Sequence, residues 1–155
     1  MGSYSACQNQ NYQISMTSAE KLKADFETGA GADQFATSGN TYNDGSWYHI
    51  MVTNDGSNLR LYIDGVHEAV KPTGGASPES SGTKPVRAGD KSRVTSSGNS
   101  FTGEADEVRV WNDDLNAQQV ADVHAESSFN SREQILYMPF TSSGTDIDIF
   151  GIKKL

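Results

Sequence analysis

The 155-residue chain contains one cysteine, Cys7, so no internal disulfide can form and no cysteine-based metal site exists. It has no long hydrophobic run. The most apolar stretch, Ile135–Phe140, is far shorter than the ~20 residues a membrane-spanning helix needs, so no membrane insertion is expected. Basic residues are scarce. Twelve Lys and Arg stand against 20 Asp and Glu, giving a net charge of −8 and a pI of about 4.7. Without a cationic stripe there is no basis for binding nucleic acid or an anionic membrane surface, whereas cations such as calcium are admissible. Apolar residues make up 35% of the chain and the mean hydropathy is −0.59. The sequence is therefore globular but lean. It has no heptad and no Gly-X-Y period, which excludes coiled coil and collagen.

What is present is period-2 alternation, so the chain reads as all-β. In Lys21–Glu27, Leu22, Ala24 and Phe26 share one face and Lys21, Lys23 and Asp25 the other. Trp47–Thr53 is the strongest strand, with Tyr48, Ile50 and Val52 alternating against Trp47, His49 and Met51; the first three are expected to face the core. Leu59–Asp64 sets Leu59, Leu61 and Ile63 opposite Arg60 and Tyr62, and Val66–Val70 follows. Ala105–Trp111 places Val108 and Val110 on the face of Asp106. Tyr12–Met16, Pro85–Ala88 and Ile135–Phe140 are weaker strands.

The turns agree with this pattern. Asn54-Asp55-Gly56 joins the second of these strands to the third, and Asp64-Gly65 closes a two-residue hairpin, because Asp-Gly tolerates the positive φ angles of a type I′ turn. Gly29–Gly39, Lys71–Lys84 and Gly89–Ser100 are polar and rich in Gly, Ser, Thr and Pro, and are expected to be loops. One short surface helix is predicted from Ala117 to about Glu126, with Asn116 and Gln119 as a capping box and Leu115 and Val120 as a hydrophobic staple.

The stretch Asn43 to Ala125 resembles the laminin-G-like (concanavalin A-like lectin/glucanase) jelly rolls. Asn43-Asp44-Gly45-Ser46-Trp47-Tyr48-His49-Ile50-Met51-Val52-Thr53 is similar to the family strand DG-x-W-H-H-V-A-V-T. The Asp55–Gly65 segment resembles the hairpin that follows it, Phe101–Trp111 resembles F-x-G-x-I-D-E-V-R-I-Y, and Leu115–Val120 resembles the short closing helix. The resemblance implies an antiparallel jelly-roll β-sandwich with one short C-terminal surface helix. Such domains open with strands that have no counterpart ahead of Tyr12, whereas Ile135–Phe140 resembles the family's opening strand. Three arrangements stay open: a fragment, a circularly shifted domain, or a domain completed by strands of another chain. One domain is expected over residues 4–155, with Met1-Gly2-Ser3 read as a cloning remnant and residues 135–155 as an extra strand and tail.

The chemistry follows from the same residues. Some relatives are glycosidases, which need two carboxylates about 5 Å apart on one strand face. Thr145-Asp146-Ile147-Asp148-Ile149-Phe150 is superficially similar to their E-I-D-I-E-F signature, but Phe150 stands where the second Glu belongs. Ser81-Gly82-Thr83-Lys84 lacks a helix to aim its side chains, and Gly29-Ala30-Gly31 is too short to cradle phosphate. His49, His67 and His124 lie on separate elements without metal-ligand spacing. Calcium is the candidate cofactor. The resemblance implies that Asp106 binds it with backbone carbonyls, and alternation places Asp106 inward or half-buried. A hydrogen-bonded structural role for Asp106 is the alternative. Sugar binding needs an exposed aromatic platform, for which Tyr42, Tyr62 and Trp111 are weak candidates; for Trp111 the alternative is packing under the helix.

The expected function is a non-catalytic extracellular or cell-surface recognition module, binding a glycan or an extracellular protein, with calcium as its possible aid. The alternative is a structural subunit of a surface fibre or adhesin that assembles by strand sharing. For Ile135–Phe140 two outcomes are open: it folds back into its own sandwich, in the place of the family's opening strand, or it inserts into a neighbour and links subunits into a homo-oligomer, as the structural alternative requires.

Overall fold

The computed structural model describes residues 12–78, 101–111 and 114–125, together with the backbone of 134–138 and 152–153. The first three strands, β1 (Gln13–Met16), β2 (Leu22–Glu27) and β3 (Asp33–Thr37), form an antiparallel sheet in the order β1-β2-β3. The next three, β4 (Ile50–Asn54), β5 (Asn58–Ile63) and β6 (Val66–Pro72), form a second sheet in the order β4-β5-β6. Then come β7 (Glu104–Ala105), β8 (Val108–Trp111), α1 (Ala117–His124), β9 (Gln134–Met138) and β10 (Ile152–Lys153). β8 pairs with β9, and β7 with β10, both antiparallel. Among the described residues the fold is antiparallel β-strands with one short helix, as the alternation and the capping pattern predict.

The two three-stranded sheets enclose the main core. Leu22, Ala24 and Phe26 of β2 and Ala36 of β3 pack against Ile50, Leu59, Leu61 and Ile63 of the second sheet, with Tyr48 and Val52 partly buried against them. Tyr48, Ile50 and Val52 thus take the face expected of them. The opposite face of the second sheet is also covered. Met51 and Tyr62 join Leu115, Val120 and Val123 in a second cluster, against which Trp111 packs. The second sheet is therefore buried on both sides, which is why β5 ends in the unbroken buried run Leu61-Tyr62-Ile63 where alternation alone predicts a half-buried strand. The helix carries the expected capping box: the Gln119 N–H donates to the Asn116 side chain and the Asn116 N–H to the Gln119 side chain.

Asp64 and Gly65 have φ of 50° and 76°, the two positive values a type I′ hairpin requires. Gly65 is doubly constrained. A Cβ built there would stand 3.2 Å from His124 of the helix, so the turn needs glycine both for its backbone and for the helix to approach.

Three expectations are corrected. The Gly29–Gly39 stretch is not all loop: it holds β3, an edge strand whose weak pattern is overridden by pairing with β2 through Ala24↔Ala36 and Asp25↔Phe35. The Lys71–Lys84 loop begins later, because β6 runs to Pro72, a proline at the end of an edge strand where no ladder N–H is needed. Ala105–Trp111 is not one strand. Glu107 has φ 54°, which breaks the ladder between β7 and β8 and removes the alternation that would align Asp106 with Val108. The predicted strand Pro85–Ala88 lies outside the described residues. For Ile135–Phe140, the backbone of Gln134–Met138 pairs within the chain, through Val108↔Met138, Arg109↔Tyr137 and Val110↔Leu136, an arrangement consistent with the fold-back alternative.

The core assignment gives a direct comparison. Ile50 is 6% exposed inside the main cluster, whereas Trp47, ahead of β4, is 49% exposed. Ile50→Ala should cost about 2–5 kcal/mol. Trp47→Ala should cost well under that, as surface changes do. Urea unfolding of the two variants measures both, and equal losses would contradict this packing.

Candidate functional site

Three regions gather polar or aromatic side chains. The first lies where β4, the β5–β6 turn and α1 meet. The His49 N–H donates to Asp64 Oδ1 at 2.8 Å, and the Asp64 N–H donates to the His49 carbonyl at 2.8 Å. This fixes His49 at the start of β4 while Gly65 admits the helix. The rings of His49 and His124 then stand 5.2 Å apart, centroid to centroid. Arg109 lies near and pairs with Glu107 at 2.5 Å. Burial, followed by the charges of His124 and Arg109, pushes the His49 pKa down to about 4. The fold therefore joins two histidines that the sequence places on separate elements. His67 goes elsewhere, edge-on to Tyr62 at 5.5 Å. With Arg109 beside it, the histidine pair does not make a cation site.

The second region is the segment leading into β4. Tyr42 and Tyr48 meet edge to face at 4.8 Å. The Tyr48 hydroxyl donates to Asp44 Oδ2 at 2.8 Å and the Ser46 N–H to Asp44 Oδ1 at 2.9 Å. The Ser46 N–H, then the Tyr48 hydroxyl, hold the Asp44 carboxyl below its ordinary pKa, and the bond to Asp44 raises Tyr48. Burial and, after it, the Glu68 charge raise Tyr42. Glu68 also accepts the Gly39 N–H at 2.9 Å and the Asn40 N–H at 3.3 Å, tying this segment to β6.

The third region is the face of the first sheet turned away from the main core. Phe35 is 49% exposed there. Lys23 Nζ stands 4.9 Å from its ring centroid and 3.4 Å from Asp25 Oδ2. Asp25 and Glu27 on this face are buried. Sequence reasoning missed Phe35 because it assigned the residue to a loop; the alternation of Lys21, Lys23 and Asp25 had already marked the polar face on which it sits.

The aromatic candidates fare differently. Tyr62 is only 3% exposed and Trp111 packs against the cluster beneath the helix, so neither offers a free ring face. Tyr42 is partly buried against the main core. Asp106 is exposed, not inward, because the turn at Glu107 re-aims it. Exposure suits a carboxylate that meets a hydrated cation, but calcium takes six to eight oxygens. Among the described residues, no group of three or more His, Cys, Asp or Glu side chains is placed to hold a metal. Asp146, Asp148 and the Ser81–Lys84 string lie outside the described residues. Also among the described residues, no helix is long and apolar enough to cross a membrane.

With this architecture in view, the comparison with known families is direct. A family model described as the concanavalin A-like lectin/glucanases superfamily, of laminin G type, matches residues 2–121. The chain belongs to that family, and the match extends the resemblance seen from Asn43 onward back through the first sheet. No curated protein and no solved structure matches the chain.

The histidine pair sets a pH dependence. An unfolded chain protonates His49 near its ordinary pKa of 6.5, whereas the fold delays protonation to about 4. Between these values the unfolded state binds more protons, so stability is fully present above 6.5 and is lost as pH falls toward 4. Allowing for the partial exposure of His49, the loss between pH 7 and 5 should be about 1–2 kcal/mol. Thermal melts should show His49→Gln losing less stability than wild type over this interval; parallel losses would exclude His49 as the source.

Proposed function

We propose that the protein is a non-catalytic recognition module of the extracellular space or cell surface that binds a glycan or an extracellular protein. The observation that supports this reading is the family match over residues 2–121, since laminin-G-like domains are generally binding modules. The sandwich fits such a role. Its apolar alternation is consumed between the sheets and under the helix, while Trp47 and Phe35 stay half exposed, as anchors for a partner do. Assembly into a fibre by donation of the 135–140 segment is disfavoured, because the backbone of Gln134–Met138 is already paired with β8. Size-exclusion chromatography combined with a glycan array and an array of extracellular proteins tests the proposal. A monomer that binds a defined partner is the expected result. Concentration-dependent polymers without any ligand would overturn it in favour of the structural role.

Calcium enters this proposal through Asp106. A ligand bound only by the folded state raises stability by mass action, about 2.7 kcal/mol at a hundredfold excess over its dissociation constant. Calorimetry should show calcium raising the melting temperature of the wild type, and Asp106→Ala removing the rise. A melting temperature indifferent to calcium would take the metal out of the reading.

A further inference from the structure

We infer that α1 is an acid-released cover: the imidazoles of His49 and His124 meet across its seam with the second sheet, and protonation there lifts the helix while the sandwich stays folded. The helix holds little of its own structure. It has eight residues and buries two side chains, Val120 and Val123, whereas isolated helices shorter than about 12–15 residues are marginal in water. Its order therefore depends on its seat, where those valines meet Met51 and Tyr62 of the second sheet. The sheet has no such dependence, since Leu59, Leu61 and Ile63 on its other face belong to the main core. An element with few buried contacts opens at lower free energy than the core that carries it.

The seam is placed so that a proton weakens it. His124 is the last residue of α1 and lies over the hairpin turn, where Gly65 leaves it room. His49 belongs to the sheet, because its N–H and its carbonyl each bond Asp64 of the same turn at 2.8 Å. When the helix moves, His49 therefore stays, and the His124 ring that stands 5.2 Å from its own leaves. Among the described residues, the charged groups that act on the His49 ring are cationic: His124 from the helix and Arg109 from β8. The neighbouring carboxylates have other contacts. Asp64 Oδ1 accepts the His49 backbone N–H, Glu107 pairs with Arg109, and Asp122 of the helix accepts from Gln118. His67 of β6 lies against Tyr62. A proton on His49 is thus opposed by burial first and by two positive neighbours second. Lifting the helix relieves the burial and removes the His124 charge. Between pH 6.5 and about 4 the released state takes up the proton and the seated state does not, so acid shifts the balance toward release. Release opens the helix side of the sheet, where Met51 and Tyr62 are each 3% exposed while the helix is seated.

The test is amide hydrogen exchange of the whole protein, read by NMR as protection factors corrected for the pH dependence of the intrinsic rate. The reporting amides are those of Val120 and Ala125, which bond the Asn116 and Ala121 carbonyls of the helix. The reference is β5, the central strand of its sheet. Helix amides should be less protected than β5 at every pH, because the helix opens without the core. Their protection should fall about tenfold from pH 7 to pH 5, the linkage of His49 discounted for its partial exposure. Protection of β5 should fall in parallel, since global unfolding also frees His49, and the gap between helix and strand should persist. In His49→Gln the helix amides should keep at pH 5 the protection they have at pH 7. Helix and β5 amides equally protected in the wild type would overturn the proposal, because the helix would then open only with the whole fold. Helix protection indifferent to pH in the wild type would overturn it as well, so the proposal stays testable even where the variant fails to fold. The same tenfold fall persisting in His49→Gln would overturn it by placing the proton elsewhere.

Discussion

The structure depends on the double burial of the second sheet. β5 is its central strand. Leu59, Leu61 and Ile63 project into the space shared with the first sheet, and Tyr62 projects into the space beneath the helix. A strand covered on both faces cannot slip by one residue without exchanging its two apolar sets, so β5 fixes the register of β4 and β6 and the height at which the first sheet and the helix dock. The turns then have little freedom. Asp64 and Gly65 must return the chain within two residues. Asp55 must brace the preceding turn, accepting the Ser57 and Asn58 N–H groups and pairing with Arg60 at 2.6 Å. These contacts, with Arg60 the largest contributor, hold the Asp55 pKa down to about 2.

Much of this was legible in the residues. The faces of β2, β4 and β5 follow from strict alternation, and the Asp64-Gly65 turn and the Asn116–Gln119 cap follow from local chemistry that acts over a few residues. What could not be read had distant causes. β3 is a strand because β2 offers it a ladder, and Gln34-Phe35-Ala36 has too little pattern to announce itself. The break at Glu107 is a single left-handed residue inside a sequence that alternates well on either side, and non-glycine residues give no warning of that conformation. It changed the setting of Asp106 from half-buried to exposed.

Site residues were less legible than the fold, for a physical reason. Apolar alternation marks where a strand is buried, but it cannot say whether the opposite face meets water or another layer. Tyr62 occupies a position that reads as outward-facing in a two-layer sandwich and became interior when the helix added a third layer, whereas Trp111 packs in that layer as the alternative reading of it expected. Phe35, placed outside the strands by its neighbours, stays half exposed, as Tyr12 and Trp47 do. His49 and His124 were brought together only because Gly65 lacks a side chain beneath the helix.

That close approach at Gly65 bears on how the molecule assembles. The β4–β5–β6 meander is joined by short turns and involves contacts close in sequence, which form with little loss of chain entropy. The helix reaches the hairpin turn from far along the chain, across the whole of the 66–116 connection. On chain entropy alone its seating over Gly65 is expected to follow formation of the meander. Contacts that form after the rate-limiting step govern how fast a protein comes apart more than how fast it folds. Crowding His124 by adding a side chain at this turn is therefore expected to loosen the latch that holds the third layer.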